Sequence, residues 1–183
     1  IRQPNRNKLL WRDPSVDGLK TGHTDEAGYC LTASAERNNM RLIAVVMGTN
    51  SENARATETQ KLLTYGFRYF ETHRLYQAGD SIKTLPVWYG EETAFDVGIA
   101  EDLYITVARG AKEQLEVETL TNEFIEAPLS TGESQGSLTI RLGDKVLAER
   151  PLVALSNVTE AGFFSRFWDG IKLFFIKLVG GEG

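Results

Sequence analysis

The period of apolar and polar positions changes twice along the chain, which divides it into three regions. In the first, up to about Thr72, Gly28 to Ala35 and Met40 to Gly48 read as two strands. Arg37-Asn38-Asn39 joins them, and asparagine tolerates the positive φ of a tight turn. Leu42 to Met47 is apolar without interruption, the pattern of a central strand covered on both faces. From Ser51 to Leu63 helix formers dominate, with Asn50 or Ser51 as the N-cap. Leu62, Leu63, Phe67 and Phe70 draw an apolar stripe at helical spacing, which predicts core packing.

The second region, about Leu75 to Asn157, is made of short alternating runs between turn signals. Strands are predicted at Ile82 to Tyr89, Leu103 to Ala108, Leu115 to Leu120, Ser137 to Leu142 and Val146 to Leu155. Leu138, Ile140 and Leu142 alternate with Ser137, Thr139 and Arg141, so one face is buried and the other is wet. Gly143-Asp144 reads as the hairpin turn that follows. Strands at this spacing, with no helical period between them, predict a small antiparallel sandwich.

The third region, Gly162 to Gly183, returns to a helical period. Phe164, Phe167, Trp168, Ile171, Phe174, Phe175 and Leu178 fall on one face, interrupted on the other by Arg166, Asp169, Lys172 and Lys177. A core helix shares this pattern. Its place after an all-β region and its many aromatics favour a helix lying in a membrane interface, with its cations at anionic headgroups. No apolar run reaches the roughly 18 to 20 residues that cross a bilayer.

Composition narrows the field. The 183 residues are 42% hydrophobic with a net charge of -5, which fits one or two packed domains rather than a disordered chain. The acidic balance speaks against nucleic-acid binding, which needs a clustered basic face. Cys30 is the single cysteine, so no intrachain disulfide or multi-cysteine metal site exists, and its neighbours Tyr29 and Leu31 suggest a buried core position. His23 and His73 are the only histidines, so no metal site is expected. No Gly-rich phosphate loop is present. Asn157-Val158-Thr159 matches a glycosylation acceptor, a triplet common by chance. The opening residues carry neither an initiating methionine nor a signal-peptide pattern, so the chain reads as the middle of a longer protein.

Chemistry concentrates in "VDGLKTGHTDEAGYC", Val16 to Cys30. Lysine and threonine both address an anion, and glycine lets a ligand backbone come close. K-T-G belongs with S-x-x-K and S-D-N in penicillin-recognising serine enzymes. With "NRNKLLW", "MRLIAVVMGT", "KLLTYGFRYFET", a following β region, "RPLVAL" and a terminal amphipathic helix, the chain resembles the low-molecular-mass penicillin-binding proteins of the D-alanyl-D-alanine carboxypeptidase family, over essentially its whole length.

That resemblance implies a serine attacking the D-Ala-D-Ala bond of a peptidoglycan stem peptide, release of the terminal D-alanine, and acylation of the same serine by β-lactam antibiotics, with no cofactor. It implies Lys20 as the positive group beside the nucleophile, Thr21 and Gly22 as substrate-binding positions, and the His23 backbone N–H in the oxyanion hole. Arg55 would face the substrate carboxylate, with Arg6 as a second arginine nearby. The chain contains no S-x-x-K, so alone it is expected to be inactive, as a fragment or a truncated gene product. Ser51-Glu52-Asn53 has the shape S-x-N but follows K-T-G, where the family's motif precedes it; a helix cap is the expected role.

The implied fold is α+β. Residues 1-73 would form the end of a transpeptidase-like domain, 74-158 a β-sandwich and 159-183 a membrane-anchoring helix, on the periplasmic side of a bacterial inner membrane. The alternative is a non-catalytic membrane-anchored pedestal or partner-binding module of a cell-wall protein.

Overall fold

The computed structural model describes residues 4–163, 167 and 169–171. These divide into two compact units: the described residues up to His73 together with Thr106–Lys112, and Arg74–Ile105 together with the described residues from Glu113 onward.

The first unit begins with a single helical turn, α1 (Leu9–Arg12). Asn7 prepares it, since its Oδ1 accepts from Leu9 N at 3.1 Å. Three antiparallel strands follow, β1 (Val16–Thr24), β2 (Gly28–Arg37) and β3 (Met40–Thr49), in the order β1-β2-β3. Asn38 and Asn39 take φ of 49° and 62° in the two-residue turn between β2 and β3, as the sequence suggested.

Helix α2 (Glu52–Tyr69) then packs on this sheet. Ser51 is its N-cap, its Oγ accepting from Ala54 N at 3.0 Å. The buried face of α2 is Arg55, Ala56, Thr59, Leu63 and Gly66, which meets Leu31, Ala33, Ala35 and Ala44 of the sheet. Alanines on both partners let the helix come close. At Gly66 a Cβ would run into the end of the Leu42 side chain, so a larger residue there would force Leu42 to shift.

Two apolar expectations are corrected here. The run Leu42 to Met47 is not covered on both faces: Ile43, Val45 and Met47 are 65%, 57% and 74% exposed. Among the described residues β3 is an edge strand, and its alternation turns only Leu42, Ala44 and Val46 of this run towards α2. On α2, Leu63 is buried and Phe67 packs beside the core, but Leu62 is exposed, one helical step off the buried face. Phe70 lies beyond the helix, exposed in the next strand.

The second unit is mostly antiparallel sheet. Its five-stranded sheet runs β5 (Ser81–Pro86), β6 (Ala94–Gly98), β10 (Lys145–Ala154), β9 (Ser134–Leu142), β8 (Leu115–Thr121). β4 (Phe70–Tyr76) and β7 (Leu103–Ala108) form a separate pair, through which the division into units passes. A 3-10 turn, Lys112–Gln114, leads into β8. Leu138 and Ile140 are fully buried while Thr139 and Arg141 face outward, and Gly143 at φ 55° turns β9 into β10. β4 and β6 had no clear signal: β4 begins where a helical stripe ends, and β6 is five residues with Asp96 in its middle. Asp96 is accommodated because its Oδ1 accepts from Thr84 Oγ1 at 2.6 Å across the strand pair.

Of the predicted tail helix, Phe163, Phe167 and Asp169–Ile171 are helical. Phe164, Trp168, Phe174, Phe175 and Leu178 lie outside the described residues. No described helix is long and apolar enough to cross a membrane.

Candidate functional site

Lys20, Thr21, Gly22 and His23 all fall within β1. Among the described residues β1 pairs only with β2, so its other edge is open to a further strand. The register pairs Lys20 with Thr32, Thr21 with Leu31, Gly22 with Cys30 and His23 with Tyr29. Strand alternation therefore puts Lys20 and Gly22 on the face away from α2, and Thr21 and His23 on the face towards it.

On the outer face an open cleft of about 220 Å³ is lined by Lys20, Gly22 and Cys30 together with Val45 and Met47 of β3. Lys20 is exposed, and its Nζ donates to Thr21 O at 2.8 Å. A Cβ on Gly22 would stand 3.7 Å from Cys30 Cβ, an ordinary contact. Cys30 is thus half-buried on the lining of a cleft rather than in the core, because strand alternation gives the core side to Leu31.

On the inner face Arg55 dominates. It is 3% exposed, carried to the sheet by the buried face of α2. Its Nη1 donates to Gly22 O at 3.2 Å and its Nη2 to Arg6 O at 3.4 Å, with Glu52 Oε1 at 3.6 Å from Nη2. Its guanidinium also lies 5.5 Å from the centroid of the Tyr29 ring. The opposite end of that cluster is His23, whose ring centroid is 3.9 Å from that of Tyr29. A buried arginine with carbonyl partners is a structural brace, worth far more than a solvent ion pair.

Arg6 is exposed and joins the cluster through its main chain. It also lines an open cleft of about 310 Å³ with Lys8 and Glu52. Lys8 Nζ reaches Glu52 Oε2 at 3.2 Å and Asn53 Oδ1 at 3.0 Å, and Arg12 Nη2 reaches the same Oδ1 at 3.3 Å. Ser51 and Asn53 are therefore occupied as a helix cap and as an anchor for the N-terminal segment. Asn7 completes the clamp: 1% exposed, it donates from Nδ2 to Gly18 O at 3.0 Å and so ties that segment to β1.

Ion pairs brace the other end of the sheet. Asp13 is buried; its Oδ1 accepts from Ser15 N and Oγ, and its Oδ2 is 2.7 Å from Arg37 Nη2. Burial alone would push its carboxyl up, but the Ser15 hydrogen bonds and the Arg37 charge outweigh it and hold the carboxyl below its ordinary value. Asp17, beside the start of the K-T-G strand, is also lowered, chiefly by its hydrogen bond with Arg41 and next by Ser34. Arg41 bridges from β3 to Asp17 at 2.6 Å and to Glu36.

Of the residues singled out in the sequence, Lys20, Thr21, Gly22, His23, Arg55 and Arg6 come together in one corner of the first unit. Asn7 and Tyr29 were missed. Both lie inside the motifs quoted above, but neither carries a local mark of its partner. Among the described residues no group of three histidine, cysteine, aspartate or glutamate side chains could hold a metal ion. The corner offers a strand edge, a cation and a hydroxyl, all suited to an extended anionic peptide; the chain contains no S-x-x-K to supply a nucleophile.

Residues 1–51 match the family described as D-alanyl-D-alanine carboxypeptidase. Residues 70–160 match the family described as penicillin-binding protein 5, C-terminal domain. The D-alanyl-D-alanine carboxypeptidase DacA of Escherichia coli strain K12 is 43% identical over 177 residues, covering 96% of this chain and 44% of that protein. DacC of the same strain is 42% identical over 182 residues, covering 98% of this chain and 46% of that protein. Among solved structures, penicillin-binding protein 5 from Haemophilus influenzae superposes with a TM-score of 0.77 at 40% identity, over 87% of this chain and 47% of that one. The chain thus spans about half the length of the curated relatives it matches. With its K-T-G strand, its β-rich second unit and these likenesses along its length, the chain belongs to the D-alanyl-D-alanine carboxypeptidase family of penicillin-binding proteins.

Proposed function

We propose that this chain is part of a serine-type D-Ala-D-Ala carboxypeptidase acting on peptidoglycan stem peptides and acylated by penicillins. The observation that carries the reading is K-T-G on an open strand edge, braced from beneath by the buried Arg55. A serine contributed from outside these residues adds through its Oγ to the carbonyl carbon of the terminal peptide bond. D-alanine leaves with a proton, and water then hydrolyses the acyl ester. The β1 edge receives the extended D-Ala-D-Ala end, and Gly22 gives it room. Lys20 supplies positive charge beside the nucleophile, and the Thr21 hydroxyl binds the carboxylate, with the buried Arg55 charge behind the strand and Arg6 nearby adding long-range attraction. The His23 N–H donates to the tetrahedral oxyanion, an interaction worth roughly 2.7 to 4 kcal/mol in such sites.

In this reading residues 1-73 complete the catalytic domain, 74-158 form a β-sandwich pedestal, and 159-183 form an amphipathic helix. That helix attaches the protein peripherally to the outer face of the inner membrane, facing the periplasm. Fluorescent penicillin tests the assignment. The complete enzyme should label covalently, the isolated chain should not, and Lys20→Ala should slow labelling far more than it lowers the melting temperature. Parental labelling by the Lys20→Ala enzyme would remove the site assignment.

A further inference from the structure

The Tyr29 ring meets both Arg55 and His23, the two side chains that flank the Gly22–His23 peptide. The Arg55 guanidinium is 5.5 Å from its centroid and the His23 ring 3.9 Å, the latter tilted by 38°. Tyr29 is opposite His23 in the β1–β2 register, one residue beyond the point where Cys30 meets Gly22. Its own main chain is anchored too, since Tyr29 O accepts from Thr49 Oγ1 at 2.9 Å, next to the start of α2. Arg55 in turn holds Gly22 O at 3.2 Å. The chain of contacts closes into a loop: Gly22 carbonyl, Arg55, Tyr29 ring, His23 ring, and back through the Gly22–His23 peptide bond.

We propose that Tyr29 is a positioning residue for the K-T-G edge, setting through its ring the place of the Gly22–His23 peptide. An open edge strand lacks the second ladder that would fix its backbone, so a side-chain brace has to do it. The ring is suited to this: it is rigid, its face attracts the Arg55 cation, and it offers His23 a flat surface. The hydroxyl is not needed. The proposal rests on reading β1 as the substrate edge, where a displacement of about 1 Å costs roughly a hundredfold in rate.

The test uses the complete enzyme, with a D-Ala-D-Ala peptide for kcat and KM, penicillin for the acylation rate, and a thermal melt on each variant. Tyr29→Phe should behave as the parent. Tyr29→Leu, which keeps bulk but loses the ring, should lower kcat and acylation by about tenfold or more while KM moves much less. Because a purely structural role predicts loss only in proportion to unfolding, rates are compared well below each melting temperature. If Tyr29→Leu does not fold, Tyr29→Met is judged by the same criterion. Parental kcat in the folded Leu or Met variant, or an equal loss in Tyr29→Phe, overturns the proposal. Lys20→Ala is measured alongside: if it fails to react while Tyr29→Leu is unaffected, the edge reading stands and only the positioning role falls. If Lys20→Ala also reacts at the parental rate, the edge reading itself is lost.

Discussion

Arg55 Nη1 donates to the carbonyl of Gly22 at 3.2 Å, although 33 residues separate them. The bond crosses from the first turns of α2 to the K-T-G strand, and it is made by a side chain that is 3% exposed. Arg55→Ala should therefore lower stability by about 1.5–3 kcal/mol, since two carbonyls lose a charged donor. Arg55→Lys should recover only part of that, because an ammonium cannot reproduce the planar two-armed donation. Denaturant midpoints measure this on the chain itself. In the complete enzyme, peptide hydrolysis by folded Arg55→Ala should also fall; unchanged hydrolysis would leave Arg55 with a structural role alone.

Gly22 offers the opposite separation of fold from function. A Cβ there meets only Cys30 Cβ, at 3.7 Å. Gly22→Ala should accordingly melt within a degree or two of the parent, an estimate of about 0.5 kcal/mol or less. In the complete enzyme it should slow penicillin acylation, because the methyl group stands on the face that lines the β1 cleft. Parental acylation by Gly22→Ala would show that close approach at this position is not required.

Asp13 makes part of the stability depend on pH. Its carboxyl is lowered in the folded state, so it binds fewer protons there than in the unfolded chain near the unfolded value of about 3.9. The ionised pair with Arg37 therefore stabilises the fold fully above that value, and the contribution disappears as pH falls through the depressed folded value. Asp13→Asn should cost about 1 kcal/mol at neutral pH, allowing for solvent screening of the half-exposed Arg37. The gap between parent and variant should close on acidification. Urea midpoints taken from neutral to acid pH check the sign; a gap that widens in acid contradicts it.

If the tail from Phe164 to Leu178 lies in a membrane interface, truncation after Thr159 should release the complete protein from membranes without unfolding it. Replacing Phe167, Ile171 and Phe174 with serine should do the same, by removing apolar burial while leaving the cations. High salt should release the parent only in part, because screening weakens the attraction of Arg166, Lys172 and Lys177 but not the apolar contribution. Liposome sedimentation and a thermal melt on the same samples separate an anchor from a core helix. A triple variant that still sediments and melts early identifies the core helix.

What the sequence determined by itself is local. The two-residue periods of β9 and β10, the turns at Asn38-Asn39 and Gly143-Asp144, and the Ser51 cap all follow from backbone geometry within a few residues. The K-T-G motif was legible for the same reason, as a short run of chemically distinctive side chains. Tertiary structure decided which neighbours each face received. Leu42 to Met47 reads as doubly buried, yet among the described residues β3 falls at an edge and shows Ile43, Val45 and Met47 to solvent, because strand order is a property of the whole sheet. Nothing local to Arg55 marks it for burial, yet the stripe of Ala56, Thr59 and Leu63 carries it into the core, where Gly22 and Arg6 accept its hydrogen bonds. Asn7 on Gly18 and Tyr29 between Arg55 and His23 belong to the same class. Each joins residues whose meeting depends on how α2 and the N-terminal segment pack on the sheet, and no local period encodes that.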